Sequence, residues 1–368
     1  QTLGRVAIIG GSVIVAVINL FMFAGVDALP VADKARVYRE IYELALVIPL
    51  VSVAGVIAAM AVRRRDRARL IASGLSTAEA EAALAEHAGT TQPNWWILGG
   101  GFVFVAFTLT MGLGDFRYSQ EIIFAGSLAI VVFLIARLTR ALEPEARATL
   151  VGTAAVIFVF RAMPSPGPGA TWWMIDELKF DGQFLSVLSL IASALTLAGM
   201  FLFRRFMAER SIAYVVGFLT LAGFVLSLPT LGMYYGLHHW TAAMTGGVVD
   251  ARFIALIDTA LESPLGQIAM IPMLAWIARS APADLKATYF AIMASFTNLA
   301  LSLAQLGTKY LNQVFVVARE VKDPATGAVQ TAANYGELGH LLIASMAIGL
   351  VLPFVAILFA RFSRFKSV

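Results

Sequence analysis

Long unbroken blocks of apolar residues alternate along this chain with short polar and basic stretches. Blocks near 5–26, 40–62, 96–114, 119–139, 148–163, 182–203, 211–233, 251–278, 286–315 and 337–361 approach or exceed the roughly 20 residues that cross a bilayer as a helix. They are continuous and do not alternate, so they predict helices and not the strands of a barrel. The segment Pro164-Ser165-Pro166-Gly167-Pro168-Gly169, followed by Trp172 and Trp173, predicts a rigid non-helical turn with its tryptophans at the membrane interface. Between the second and third blocks, Ser76-Thr77-Ala78-Glu79 reads as a capping box. It opens a helix over about 76–87 that serves as a linker on the cytoplasmic surface or as a docking site for a partner.

Charge fixes an orientation. If the first helix runs outward from the cytoplasm, the dense basic clusters all fall inside: Arg63, Arg64, Arg65, Arg67 and Arg69; Arg137, Arg140 and Arg147; Arg204, Arg205 and Arg210; Arg361, Arg364 and Lys366. The positive-inside rule then places both chain ends in the cytoplasm. Abundant Ala, and Arg over Lys, point to a bacterial inner membrane.

Composition agrees with this picture and removes rivals. Hydrophobic residues make up 59% of 368 and charged residues 14%, against about a quarter charged in soluble domains. Mean hydropathy is +0.81. The chain reads as an all-α integral membrane protein, and its net charge of +4 reflects cytoplasmic anchoring, not nucleic-acid binding. With no cysteine and four histidines, disulfides and thiolate metal sites are excluded and a histidine cluster is disfavoured. His238-His239, in an outer loop, forms an interface patch or a metal contact. No phosphate-binding glycine loop and no serine–histidine pairing is visible, so no enzyme chemistry and no cofactor is expected.

The candidate chemistry is in IALIDTALESPLGQIAMIPMLAWIARS, Ile254 to Ser280. Asp258 and Glu262 stand one turn apart on one face, about 6 Å from each other. A face with two carboxylates cannot look into lipid, so it turns to a cavity or to another helix. Two like charges this close in a low-dielectric setting cannot both ionise cheaply, which suits a group that gains and loses a proton during transport. The other readings are a structural ion pair with Lys309 or Arg161, and a helix boundary that falls elsewhere than the apolar run suggests. Pro264 and Pro272 kink or hinge the span, or serve packing alone; Gln267 is a candidate hydrogen-bonding group in the cavity. Lys309 snorkels outward, bridges to Asp258, or binds an anionic substrate. Ser295 and Asn298 glue helices or line the cavity. Asp176, Glu177 and Lys179 fall in an outer connector and read as solvated.

Three stretches carry a family resemblance: PSPGPGATWWMIDELKFDGQFLSVLSLIASALTLAGMFLFRRF, DARFIALIDTALESPLGQIAMIP and APADLKATYFAIMASFTNLALSLAQLG. They resemble the folate–biopterin transporter family of the major facilitator superfamily over about residues 148–316. Lys286 stands where that family pattern has Glu before Ala-Thr, and Pro282-Ala283-Asp284 departs from Pro-x-Gly. The departure bears on folate or pterin as substrate, not on the fold. Four blocks, a basic connector and six more blocks make the count of a twelve-helix, major-facilitator-like bundle with ten spans here and two helices preceding Gln1; the alternative is a ten-helix protein. The resemblance agrees with the first. Residues 1–140 would form an N-terminal half-bundle and 141–368 a C-terminal one, with the solute site between them. It implies a secondary active transporter of a small organic solute, working by alternating access with proton symport through Asp258 and Glu262. The competing expectation is a non-transporting structural or assembly subunit on a transporter fold, bound to a partner membrane protein, pigment or lipid.

Overall fold

The computed structural model describes residues 2–23, 31–85, 95–114, 116–141, 143–265, 268, 286–323 and 326–363. Helices dominate: α1 (Thr2–Met22), α2 (Val31–Ala45), α3 (Val47–Ala72), α4 (Thr77–Ala85), α5 (Trp95–Leu113), α6 (Ser119–Leu138), α7 (Pro144–Arg161), α8 (Pro168–Asp176), α9 (Gly182–Leu202), α10 (Arg204–Glu209), α11 (Ile212–Tyr234), α12 (Leu237–Met244), α13 (Ala251–Glu262), α14 (Lys286–Val314) and α15 (Leu338–Phe362). A two-stranded antiparallel hairpin, β1 (Val321–Lys322) and β2 (Val329–Thr331), lies between the last two helices. Five described stretches are long and apolar enough to cross a membrane: Arg39–Ala72, Ser119–Arg137, Gly182–Leu202, Ile212–Tyr234 and Leu338–Phe362.

Local chemistry explains the ends of these elements. The predicted capping box forms: the Ser76 N–H donates to Glu79 Oε2 at 2.8 Å and the Glu79 N–H to Ser76 Oγ at 3.2 Å. α4 follows as far as Ala85, and residues 86 and 87 lie outside the described set. Asp181, Ser211 and Asp250 cap α9, α11 and α13, each accepting the amide proton three residues on. The second expected span, 40–62, differs. Helix begins at Val31, breaks at Leu46 and then continues through the arginine cluster to Ala72.

Two further expectations are corrected. Residues 168–176 are helical: Pro168 occupies the first turn, where its missing N–H costs nothing, and only Pro164–Gly167 form the turn. Gly167 takes φ +76°, with Asn312 Nδ2 3.2 Å from where a Cβ would stand, so glycine is needed there. Ser165 N–H donates to Thr308 Oγ1 at 3.0 Å and Asn312 Nδ2 to the Pro166 carbonyl at 3.2 Å, tying the turn to α14. In addition, α13 does not run unbroken to 278. It stops at Glu262 and passes into a single 3₁₀ turn, Ser263–Leu265.

The core lies among α7, α11, α14 and α15, where Leu150, Val156, Ile157, Val216, Met293 and Ala360 bury together. α6 joins through Val131 and Leu134 against Ile292 and Leu299 of α14. α1 lies along α9.

Asp176 is not a solvated connector residue. Its carboxylate takes Arg319 Nε at 3.0 Å and Nη2 at 2.8 Å, plus the Tyr335 hydroxyl. This clasp pins the segment carrying the hairpin onto the end of α8. Hydrogen bonds from Arg319 hold the Asp176 carboxyl below the usual carboxylate range, so its contribution is present above about pH 4 and fades as pH falls through the lowered value. Burial, then the bond to Asp176, pushes Tyr335 up to about 12. That contribution is complete below about pH 10 and is lost as pH rises through about 12. Asp176→Asn is expected to speed proteolytic cleavage of the hairpin roughly three- to tenfold at neutral pH, the loss of a charge-assisted contact. On the acid side, wild-type cleavage should accelerate in the same way below about pH 4.

Candidate functional site

A cavity of about 470 Å³ opens beside α13. Its walls come from the end of α7 and the Met163–Pro166 turn, from α11, from α13 and from α15. Both Asp258 and Glu262 line it. Asp258 is half-buried and Glu262 exposed. The α11 wall presents Thr220, Gly223, Ser227 and Thr230. Steps of three and four residues put these on one helix face. That periodic small and polar stripe in an apolar span was a readable signal for the cavity, and the carboxylates alone did not reveal it.

Hydrogen bonding around the cavity is incomplete among the described residues. Thr230 Oγ1 donates to Asp258 Oδ2 at a long 3.4 Å. Asp258 Oδ1, Thr220 Oγ1 and Ser345 Oγ are buried with no described partner, and all three residues line this one cavity. Thr220 and Ser345 are only 5% and 6% exposed. An unsatisfied buried polar atom costs about 1–3 kcal/mol, so three of them facing one space suit water or a polar guest there, not a dry contact.

The 3₁₀ turn beneath the pair is held closely. Thr196 Oγ1 donates to the Ser263 carbonyl at 2.9 Å. A Cβ on Gly199 of α9 would stand 2.2 Å from the Pro264 carbonyl oxygen and 2.6 Å from its Cα. Pro264 therefore sits where the α-helix has given way to the 3₁₀ turn, packed backbone to backbone against α9. Gln267 and Pro272 lie outside the described residues. Arg161 is the last residue of α7 and half-buried; its neighbours Phe160 and Met163 line the cavity.

Lys309 lies elsewhere. Its Nζ is 2.7 Å from Glu121 Oε1, on α6, and the pair lines a second cavity of about 700 Å³ between α5, α6 and α14. The sequence reading missed Glu121, although an acid in the first turn of an otherwise apolar span was a usable signal. His238 and His239 sit in α12 with ring centroids 3.9 Å apart. Among the described residues, no group of three or more His, Cys, Asp or Glu is placed to hold a metal ion.

Long apolar helices with ionisable side chains at cavities within the bundle define an all-α integral membrane protein. The chain belongs to the BT1 family, whose model matches residues 44–366. It is similar to a folate-biopterin transporter from Synechocystis sp., 32% identical over 144 residues, which are 39% of this chain and 28% of that relative's length. No solved structure matches the chain.

Proposed function

We propose that the protein is a secondary active transporter of a small organic solute, of the folate or pterin kind that its Synechocystis relative's name records. Alternating access would be driven by proton symport through Asp258 and Glu262. The observation that carries this reading is the carboxylate pair lining a cavity whose walls hold three buried polar atoms, one of them on Asp258 itself, with no partner among the described residues. A carboxyl group in that setting exchanges its proton with a water-bearing passage, and the break at Pro264 gives the helix that bears it a place to bend. The two halves would be residues 1–140 and 141–368, with both ends in the cytoplasm, a reading supported by the arginine clusters, and the protein in a bacterial inner membrane, a reading supported by its abundant Ala and its Arg over Lys.

The test is uptake of radiolabelled folate and biopterin by proteoliposomes holding the purified chain, with and without an inward proton gradient. Uptake of at least one, raised severalfold by the gradient, is expected. Uptake of neither above protein-free vesicles overturns the reading. A second reading, a structural or assembly subunit binding a partner membrane complex, pigment or lipid, has one observation in its favour. Leu50, Val53, Val56 and Ile57 of α3 are all exposed. A stoichiometric partner or pigment copurifying with a chain that moves no solute would establish it.

A further inference from the structure

The cavity between α5, α6 and α14 has no part in the coupling scheme above, yet it is the larger of the two and holds a charged pair of its own. Lys309 Nζ and the Tyr310 hydroxyl both donate to Glu121 Oε1, each at 2.7 Å. The second oxygen, Glu121 Oε2, is buried with no described partner. Two further buried polar atoms without described partners, Ser127 Oγ and Thr108 Oγ1, belong to residues lining the same space. Ser127 is 1% exposed. Gln120, Ser302 and Gln305 add polar groups, and Phe104, Phe124 and Tyr118 add flat apolar surface. At about 700 Å³ the space is within the range of small-molecule sites, which pair apolar walls with a few fixed polar groups.

We propose that this cavity is a binding site for a small organic carboxylate, in which Lys309 exchanges the carboxylate of Glu121 for that of the guest. Lys309 is the lone cation among the described lining residues, so it is the group that recognises an anion there. Glu121 occupies it in the resting state, one oxygen bonded and the other without a described partner. A guest carboxylate supplies the same charge-assisted contact, its ring stacks on the aromatic wall, and Ser127 and Thr108 gain an acceptor. Glu121, once displaced, keeps the Tyr310 hydroxyl as its donor. The inference deepens the transport reading by naming the chemistry of the solute, and rests on that reading only for what happens after binding.

Binding is read directly, without transport, on the purified full chain. The probes are benzoate and its neutral analogue benzamide at millimolar concentration, followed by ligand-induced thermal stabilisation. Benzoate is expected to stabilise the wild type and benzamide to do so at least tenfold less potently, since only the anion makes the charged contact. Lys309→Gln should weaken benzoate about tenfold or more, whereas Lys322→Gln, on the exposed hairpin, should leave it unchanged. Glu121→Gln removes the competitor and should tighten benzoate about tenfold, a gain that misfolding cannot imitate. Benzamide binding as well as benzoate, no benzoate binding by the wild type, Lys309→Gln binding like wild type, or no gain in Glu121→Gln would each overturn the site. Benzoate binding as described in a chain that transports nothing would sink the transport reading and leave this site standing.

Discussion

Gly199→Ala is expected to lower the apparent melting temperature of the purified protein by about 1–4 °C, the effect of overpacking by roughly 1–3 kcal/mol in a chain of 368 residues. The added methyl would meet backbone, the carbonyl oxygen and Cα of Pro264, and no rotamer change can clear it. The 3₁₀ turn must move off α9, which breaks the Thr196 bond to Ser263 and shifts the helix carrying Asp258 and Glu262. Gly217→Ala is the control: its Cβ would find only Ile357 and Phe354 side chains at 3.7 Å. Alanine in that helix interior should be neutral or stabilising, by up to about 1 kcal/mol. A Gly199→Ala protein as stable as wild type would show that α13 and α9 do not meet as described.

Asp258→Asn and Glu262→Gln together are expected to cut gradient-driven solute accumulation to the level of exchange alone, a fall of about a hundredfold or more, in line with the loss of an essential proton-transferring group. Solute-for-solute exchange should persist, because both substitutions keep the cavity's shape and polar rim and leave the Lys309 site intact, while removing the groups proposed to take up and release the proton. Of the single variants, Asp258→Asn should be the more severe: Asp258 is the half-buried member, and its Oδ1 is buried with no described partner. Both arms are measured in proteoliposomes at matched protein content. Unchanged accumulation in the double variant removes the pair from the coupling machinery.

Much of the architecture was legible because it is local. Continuous apolar blocks predicted helices, and the box at Ser76 and Glu79 is a contact within three residues. The helix over 168–176 was missed because its prolines and glycines were read together, although those that break helix come before the one that starts it. The end of α13 at Glu262 was missed because an apolar run does not report where a backbone turns. Asp258 and Glu262 were placed on one face by their spacing, and both line one cavity. Glu121 with Lys309, 188 residues apart, and Asp176 with Arg319, 143 apart, could not be paired from one sequence. Such partners are chosen by how helices pack, and Lys309 and Asp176 each had a local reading, as snorkelling and as solvated, that nothing in the sequence contradicted.

The account stands on Asp258 and Glu262 carrying protons through a water-bearing cavity. The most direct measurement is proton flux into proteoliposomes on addition of the transported solute, followed with a trapped pH indicator. The account predicts acidification that tracks solute entry in the wild type and is absent in the Asp258→Asn, Glu262→Gln protein. Solute entry at full rate with no proton movement in the wild type would contradict it.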